Sequence, residues 1–178
     1  MYDKWLTKER MLLKIHNYLL FKSNYFSLIF IFFVAILIII ALYSLLLNLA
    51  NIQLDNSLIN NITDYKTKAF AVLILFPLLE TLIFYTLIIK VVRAIKNSFL
   101  KKLNGRLVFK VSLIIAAVLF GLNHSFSWAY IVYSFLIGVV FSIQYWYAYY
   151  RRKDAFIIIS ITHSLVNLMF FTVQICWL

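Results

Sequence analysis

The sequence predicts an all-α fold: a polytopic membrane helix bundle of about five transmembrane helices, with an N-terminal interfacial helix. Of its 178 residues, 65% are hydrophobic and 13% are charged, whereas soluble domains have about 45–50% apolar and about 25% charged residues. Long apolar runs recur along the chain, and the basic residues lie between them. Three glycines and one proline are too few for linkers. We therefore expect one integral membrane domain over residues 1–178.

Residues 1–22 are basic and partly amphipathic, with leucine and tryptophan side chains interspersed among five Lys and Arg residues. This pattern favours a helix that lies in the plane of the membrane interface. A basic tail without a defined structure is the alternative. We expect no cleavable signal peptide, because the first long apolar run exceeds the length of a signal peptide's apolar region.

Five apolar segments follow, and each has about the length that a helix needs to cross a bilayer. The predicted spans are Tyr25–Leu49, Ala69–Ile89, Leu107–Asn123, Ala129–Tyr149 and Ala155–Leu178. The aromatic stretch at residues 145–150 is typical of the belt at a membrane interface. Cys176 is the one cysteine of the chain, which excludes an internal disulfide.

The Lys and Arg residues are distributed unevenly among the segments that connect the predicted spans. Residues 1–22, 90–110 and 151–153 together hold 15 of the 17 basic residues, and the connection 50–68 holds the other two. Because cytoplasmic segments carry an excess of Lys and Arg, we expect a cytoplasmic N-terminus and an extracytoplasmic C-terminus. The same rule accounts for the formal charge of +11, so nucleic acid is not an expected partner.

Ionisable side chains are rare inside the spans. Glu80 lies in the second span, His124 near the end of the third and His163 in the fifth. A carboxylate at this depth costs at least ~2.5 kcal/mol, and such residues usually mark functional sites. Asn167 shares a helix face with His163 because the two are four residues apart. At ~1.5 Å of helix rise per residue, all of these side chains can approach one depth, so we expect a shared polar pocket.

Each of these polar residues also has a structural interpretation. Glu80 could pair with a histidine simply to hold two helices together. His124 could be an interfacial residue, and His163 with Asn167 could form interhelical hydrogen bonds.

Three short motifs carry a family resemblance. The order and context of Glu80, of residues 120–124 (Phe-Gly-Leu-Asn-His) and of residues 163–167 (His-Ser-Leu-Val-Asn) resemble the CPBP intramembrane proteases. That family includes the type II CAAX prenyl proteases and many bacterial members described as bacteriocin-immunity or abortive-infection proteins. Its motifs are Glu-Glu-x-x-x-Arg, Phe-x-x-x-His and His-x-x-x-Asn/Asp. The resemblance covers about residues 69–171, with a CPBP-like core at those positions.

Two positions depart from the family pattern. Thr81 stands where the family often has its second glutamate, and Tyr85 stands where it often has arginine. The catalytic glutamate of the family is the first of the pair, which matches Glu80.

The resemblance implies an intramembrane peptidase, a hydrolase, with the catalytic residues Glu80, His124, His163 and Asn167. Its partners would be membrane lipid and a peptide or protein substrate. Prenylation of that substrate is not implied, because the chain is shorter than the eukaryotic prenyl proteases. The bacterial members of the family make a bacterial plasma membrane the expected location.

Two arrangements of these groups can hydrolyse a peptide bond. In one, Glu80, His124 and His163 ligate Zn²⁺ and leave an open position for water. In the other no cofactor is bound: Glu80 is the base, the histidines orient water, and Asn167 donates to the oxyanion. Because Thr81 replaces the neighbouring acid, the zinc arrangement lacks a second carboxylate as base, and the metal-free arrangement is slightly favoured.

The competing function is a non-catalytic membrane adaptor or bacteriocin self-immunity protein that retains the protease fold. Thr81 and Tyr85 favour this alternative, whereas the presence of Glu80 and both histidines favours the enzyme. A small transporter is less favoured, since five spans with one acid leave little room for inverted repeats.

The charge distribution predicts the sidedness of the chain. A reporter fused after Leu178 should be extracytoplasmic, and a reporter inserted between residues 97 and 104 should be cytoplasmic. Reporter activity or protease accessibility in intact cells measures both positions. A cytoplasmic C-terminus would mean that one predicted span does not cross the membrane.

Overall fold

Five long helices dominate the fold, which confirms the predicted all-α class. The computed structural model describes residues 11–19, 24–52, 64–99, 101–125 and 127–176, with side chains up to residue 173 at the C-terminal end. The helices are α1 (Tyr25–Leu49), α2 (Tyr65–Phe99), α3 (Gly105–Asn123), α4 (Trp128–Tyr150) and α5 (Ala155–Cys176). All five are long and apolar enough to cross a membrane. The chain is therefore an integral membrane protein.

Side-chain caps mark where all five of these helices begin. The first N–H groups of a helix have no partner within it, and a polar side chain just before the helix can accept from them. Here each cap accepts from an N–H group two or three residues later; the capping residues are Asn24, Asp64, Asn104, Ser127 and Asp154. The cap at Asn24 begins α1 at Tyr25, as the sequence predicts.

Helix α2 is longer at both ends than the predicted span Ala69–Ile89. It begins at Tyr65, directly after the Asp64 cap, and continues to Phe99. Residues 65–68 and 90–99, which the sequence analysis places in the connections between the spans, are therefore helical. The other boundaries of the described helices match the prediction or differ from it by at most two residues. Residues 177–178 of the last predicted span lie outside the described residues.

Packing explains why the basic residues after Ile89 do not end α2. The guanidinium of Arg93 lies over the rings of Phe109 and Tyr149, 5.0 and 4.6 Å from their centroids. It also donates a hydrogen bond of 2.6 Å to the Tyr149 hydroxyl. The basic extension of α2 is thus held against α3 and α4 by cation–π contacts.

The N-terminal helical segment, residues 11–19, packs against one end of α4. We call this the basic end of the bundle, because it also carries residues 90–99, 101–110 and 151–153. His16 Nδ1 lies 2.7 Å from the Tyr147 hydroxyl, and its ring stacks on Trp146. Arg151 donates to the carbonyl of Leu19. Residues 1–10 and 20–22 of the predicted interfacial helix lie outside the described residues, and its position at the interface stays a prediction.

The helices pack so that the site region is enclosed by three of them. Helix α3 packs on α4, α1 packs on α4 and α5, and α2 packs on α3 and α5. The core between them is apolar and aromatic, and its completely buried members include Leu28, Ile36, Phe141, Ile158 and Ile159. Helices α2, α3 and α5 therefore present side chains to one shared space.

Two glycines bring α3 and α4 into close contact. A Cβ atom added at Gly121 would lie 2.8 Å from the Cβ of Phe135, and one at Gly138 would lie 3.1 Å from the Ala117 carbonyl oxygen. Small residues at such crossings allow the backbones of membrane helices to approach. This contact fixes α3 next to the aromatic residues of α4.

The close crossing of α3 and α4 predicts that a methyl group at Gly121 destabilises the protein. Gly121→Ala should lower the free energy of unfolding by about 1–3 kcal/mol, because the added methyl overpacks the contact with Phe135. Gly105→Ala is the matched control, since nothing lies within 4 Å of its added Cβ. Reversible unfolding in mixed micelles measures both. Equal stability of the two variants would contradict the close crossing.

Candidate active site

Helix α2 is irregular on both sides of Glu80. Two π-helical stretches, Ala71–Leu75 and Thr81–Leu87, flank the α-helical turn Phe76–Glu80. Such stretches are rare and occur frequently at functional sites. Pro77 lies in the intervening turn. Because proline has no N–H group, one carbonyl in the preceding turn lacks the hydrogen bond that another residue at position 77 would donate.

In a π-helical register, the acceptor for an N–H group at position 77 would be the carbonyl of Val72. In the first π-helical stretch the N–H of Phe76 bonds the carbonyl of Ala71, so residue 77 would be next in register to bond Val72. Instead the side-chain nitrogen of Asn167 donates to the Val72 carbonyl at 2.9 Å. This bond ties α5 to α2 about two turns before Glu80, and it gives Asn167 a structural role.

The carboxylate of Glu80 lies between two imidazole rings. Its Oε1 is 3.8 Å from Nε2 of His124, and its Oε2 is 3.5 Å from Nε2 of His163. The Glu80 side chain is 19% exposed and that of His163 is 8% exposed. Both separations exceed the usual N–H···O distance of about 2.7–3.2 Å. At these separations, one water molecule next to the Glu80 carboxylate can hydrogen-bond to more than one of the three side chains.

The ring of His124 is oriented by its own helix. Its Nδ1 lies 2.8 Å from the carbonyl oxygen of Phe120. A carbonyl only accepts, so Nδ1 carries the hydrogen, and in the neutral ring Nε2 is an acceptor. That Nε2 faces the Glu80 carboxylate, which is also an acceptor when ionised. A proton donor must therefore serve both groups, and a water molecule can give one hydrogen to each.

Aromatic rings hold the two histidines in place. The ring of Phe120 lies 4.8 Å from that of His124 and 5.7 Å from that of His163. Phe141 of α4 contacts His163 at 5.1 Å, and Tyr130 of α4 lies 5.7 Å from His124. The sequence motifs did not indicate Phe141 or Tyr130, because an aromatic residue in an apolar span carries no signal that separates it from other core residues.

The structure thus brings Glu80, His124 and His163 together, on α2, at the end of α3 and on α5. Asn167 lies one turn after His163 on α5. A model of the family "Type II CAAX prenyl endopeptidase Rce1-like" matches residues 65–169, which is more than half of the chain and includes all four residues. The chain belongs to this family.

Membership in the Rce1-like family confirms the resemblance to the CPBP proteases that the three motifs indicated. It implies a membrane peptidase that works in a lipid environment on a peptide substrate. Neither a curated protein nor a solved structure matches this Rce1-like chain.

The two departures from the family pattern are buried and uncharged in this Rce1-like protein. Thr81 is completely buried, and its hydroxyl has no hydrogen-bond partner among the described residues. Tyr85 is 1% exposed, and its hydroxyl donates to the carbonyl of Gly138 at 2.8 Å. Tyr85 therefore joins α2 to α4 directly behind the site, with its ring against Phe120 and Phe141.

The donor types at the site suit zinc, since two histidines and a glutamate form a known set of ligands for catalytic zinc. Among the residues that the structure describes, however, no group of three or more His, Cys, Asp or Glu side chains is arranged to hold a metal ion. Zinc held by Glu80, His124 and His163 therefore stays a proposal for metal analysis.

The hydrogen bond from Asn167 to the Val72 carbonyl predicts that the effect of removing Asn167 on stability depends on Pro77. Asn167→Ala should lower the free energy of unfolding by about 1–3 kcal/mol, because it leaves the buried Val72 carbonyl without a partner. In a Pro77→Ala background the same change should cost less, since alanine at position 77 supplies an N–H group. Reversible unfolding of the four proteins gives this coupling. An equal cost of Asn167→Ala in both backgrounds would contradict the assignment.

Proposed function

We propose that this protein is a CAAX-protease-like intramembrane endopeptidase that hydrolyses a peptide bond with a water molecule activated by Glu80. The observation that carries the proposal is a carboxylate held between two imidazole rings within the membrane spans, with Nε2 distances of 3.8 and 3.5 Å. An intramembrane acid in such surroundings is a functional site by default.

Glu80 is the proposed general base. The water donates one hydrogen to the Glu80 carboxylate and the other to Nε2 of His124, which the Phe120 carbonyl keeps in the accepting tautomer. Both hydrogens are then engaged, and a lone pair of the water oxygen is directed at the substrate carbonyl carbon. As the new C–O bond forms, the water proton passes to Glu80.

His163 and Asn167 are proposed to stabilise the oxyanion of the tetrahedral intermediate. An asparagine amide has two N–H groups, and the bond to Val72 uses one of them. The other N–H group remains for the oxyanion. The imidazole of His163, in the adjacent turn of α5, stabilises the same negative charge. When the C–N bond breaks, Glu80 returns the proton to the leaving amine, and the carboxylate is restored.

The mechanism as proposed needs no metal ion, because it uses one water molecule and side chains of this chain. If zinc is held by Glu80, His124 and His163, it would supply a Lewis acid that lowers the pKa of bound water. We further propose a bacterial plasma membrane as the location, with the N-terminus in the cytoplasm, as the excess of Lys and Arg at the basic end suggests.

A non-catalytic adaptor is the second candidate, and the buried Thr81 hydroxyl favours it. That hydroxyl takes the position of the family's second acid without a partner among the described residues. The two candidates differ in what they require of Glu80. A peptidase needs its negative charge, whereas an adaptor needs only the shape of the side chain.

Substitutions at the site should separate the candidates. Glu80→Gln should lower the cleavage rate at least about 10²-fold, because the amide cannot accept the proton. His124→Ala and His163→Ala should also lower it. The measurement uses the purified full chain in proteoliposomes with fluorogenic peptides that end in a CAAX sequence, with and without a prenyl group. Zinc content is determined on the same samples.

Asp64→Asn is the matched control for the loss of a carboxylate, because asparagine caps a helix as well as aspartate does. It should retain the wild-type rate. Wild-type cleavage by Glu80→Gln would overturn the peptidase mechanism, and an unchanged cellular phenotype of that variant would support the adaptor. Stoichiometric zinc in the wild type that is lost in Glu80→Gln would replace the metal-free mechanism with the zinc arrangement.

A further inference from the structure

A cavity lies outside the candidate active site, between α3 and α4 near the basic end. Its volume is about 370 Å³, and the residues that line it include Lys110, Leu113, Ala117, Phe135, Val139 and Trp146. It contains none of the four proposed site residues. The cavity opens to the surface of the bundle, where Ile114 and Ile143 are 61% and 45% exposed. Because both helices are membrane spans, this opening faces lipid.

The wall of the cavity is apolar apart from three side chains. The hydroxyl of Ser142 donates to the carbonyl of Leu113, and that of Tyr147 is hydrogen-bonded to His16. These two polar groups are therefore already engaged within the protein. Lys110 is the cationic residue of the lining, and it lies at the end of the cavity nearest the basic end.

The length of the cavity matches one leaflet of a bilayer. Its lining on α4 runs from Phe135 to Tyr147, twelve residue steps that correspond to about 18 Å at 1.5 Å each. Half of a hydrocarbon core of ~30 Å is about 15 Å. The close crossing at Gly121 and Gly138 lies at the deep end of the cavity, so the groove ends near the middle of the membrane.

The charge at the outer end specifies the head group. Arg106 precedes Lys110 by four residues, so the two cations share a face of α3. Trp146 lies at the same end, and its amphipathic ring suits the head-group region. A ligand that fits this surface has an apolar chain of leaflet length and a negative charge at its end.

We propose that the cavity between α3 and α4 binds one anionic phospholipid of the leaflet at the basic end. One acyl chain lies along Leu113, Ala117 and Val139, and the phosphate pairs with Lys110. This site is independent of the peptidase proposal, because it shares no residue with the Glu80 site.

Fluorescence quenching of Trp146 tests the proposal. The full chain with Trp5→Phe, Trp128→Phe and Trp177→Phe keeps Trp146 as its tryptophan and is reconstituted in phosphatidylcholine vesicles. Phosphatidylglycerol or phosphatidylcholine with brominated acyl chains is then added. Brominated phosphatidylglycerol should quench Trp146 at a mole fraction about fivefold lower than brominated phosphatidylcholine. This ratio corresponds to the binding free energy of ~1 kcal/mol that one lysine gains next to an anionic lipid. This preference should shrink as the salt concentration rises.

Three variants test whether the preference for phosphatidylglycerol arises at the cavity. Lys110→Gln should reduce it several-fold, because Arg106 remains nearby, whereas Lys101→Gln, the same charge change in the turn before α3, should retain it in full. Val139→Phe narrows the groove and should reduce quenching by both lipids. Equal quenching by the two lipids in the parent protein, or a preference that Lys110→Gln leaves undiminished, would overturn the proposal and leave ordinary lipid contact. The salt titration needs no substitution at the cavity, so a preference that does not change with salt would overturn the proposal even if a variant fails to fold.

Discussion

The burial of one carboxylate is the constraint on which the rest of this structure depends. Glu80 lies deep in a membrane span, where a charged side chain costs at least ~2.5 kcal/mol without partners. The two imidazoles at 3.5 and 3.8 Å supply polar neighbours, but they do so without direct hydrogen bonds. The site is therefore polar yet incompletely paired, which is the condition in which water can be held and a proton can move.

Keeping this arrangement requires α2 to deviate from a regular helix, and the neighbouring helices compensate for that deviation. Pro77 removes an N–H group, the Val72 carbonyl is left over, and Asn167 satisfies it from α5. On the other side, the Tyr85 hydroxyl bonds the carbonyl of Gly138 on α4. Helix α2 is thus tied to α5 at Val72 before Glu80 and to α4 at Tyr85 after Glu80.

Much of the fold was accessible from composition, because a bilayer demands long apolar helices and the five runs are distinct in the sequence. The extent of α2 was not, since the helix continues through basic residues that Arg93 anchors on Phe109 and Tyr149. The motifs indicated Glu80, His124 and His163, whose polarity stands out in a span. They could not indicate that Asn167 bonds Val72, because this depends on a π-helical register that no local pattern encodes. Phe141 and Tyr130 were likewise indistinguishable from ordinary core residues.

The most direct test of the proposed site is a high-resolution experimental structure of the wild-type chain in lipid nanodiscs, with anomalous scattering recorded at the zinc edge. The metal-free mechanism predicts one water molecule within about 3.2 Å of both the Glu80 carboxylate and Nε2 of His124, with Nδ1 of His124 on the Phe120 carbonyl and no anomalous peak. A zinc peak ligated by Glu80 and both histidines would contradict the metal-free site, and a Glu80 side chain turned to lipid would contradict the site altogether.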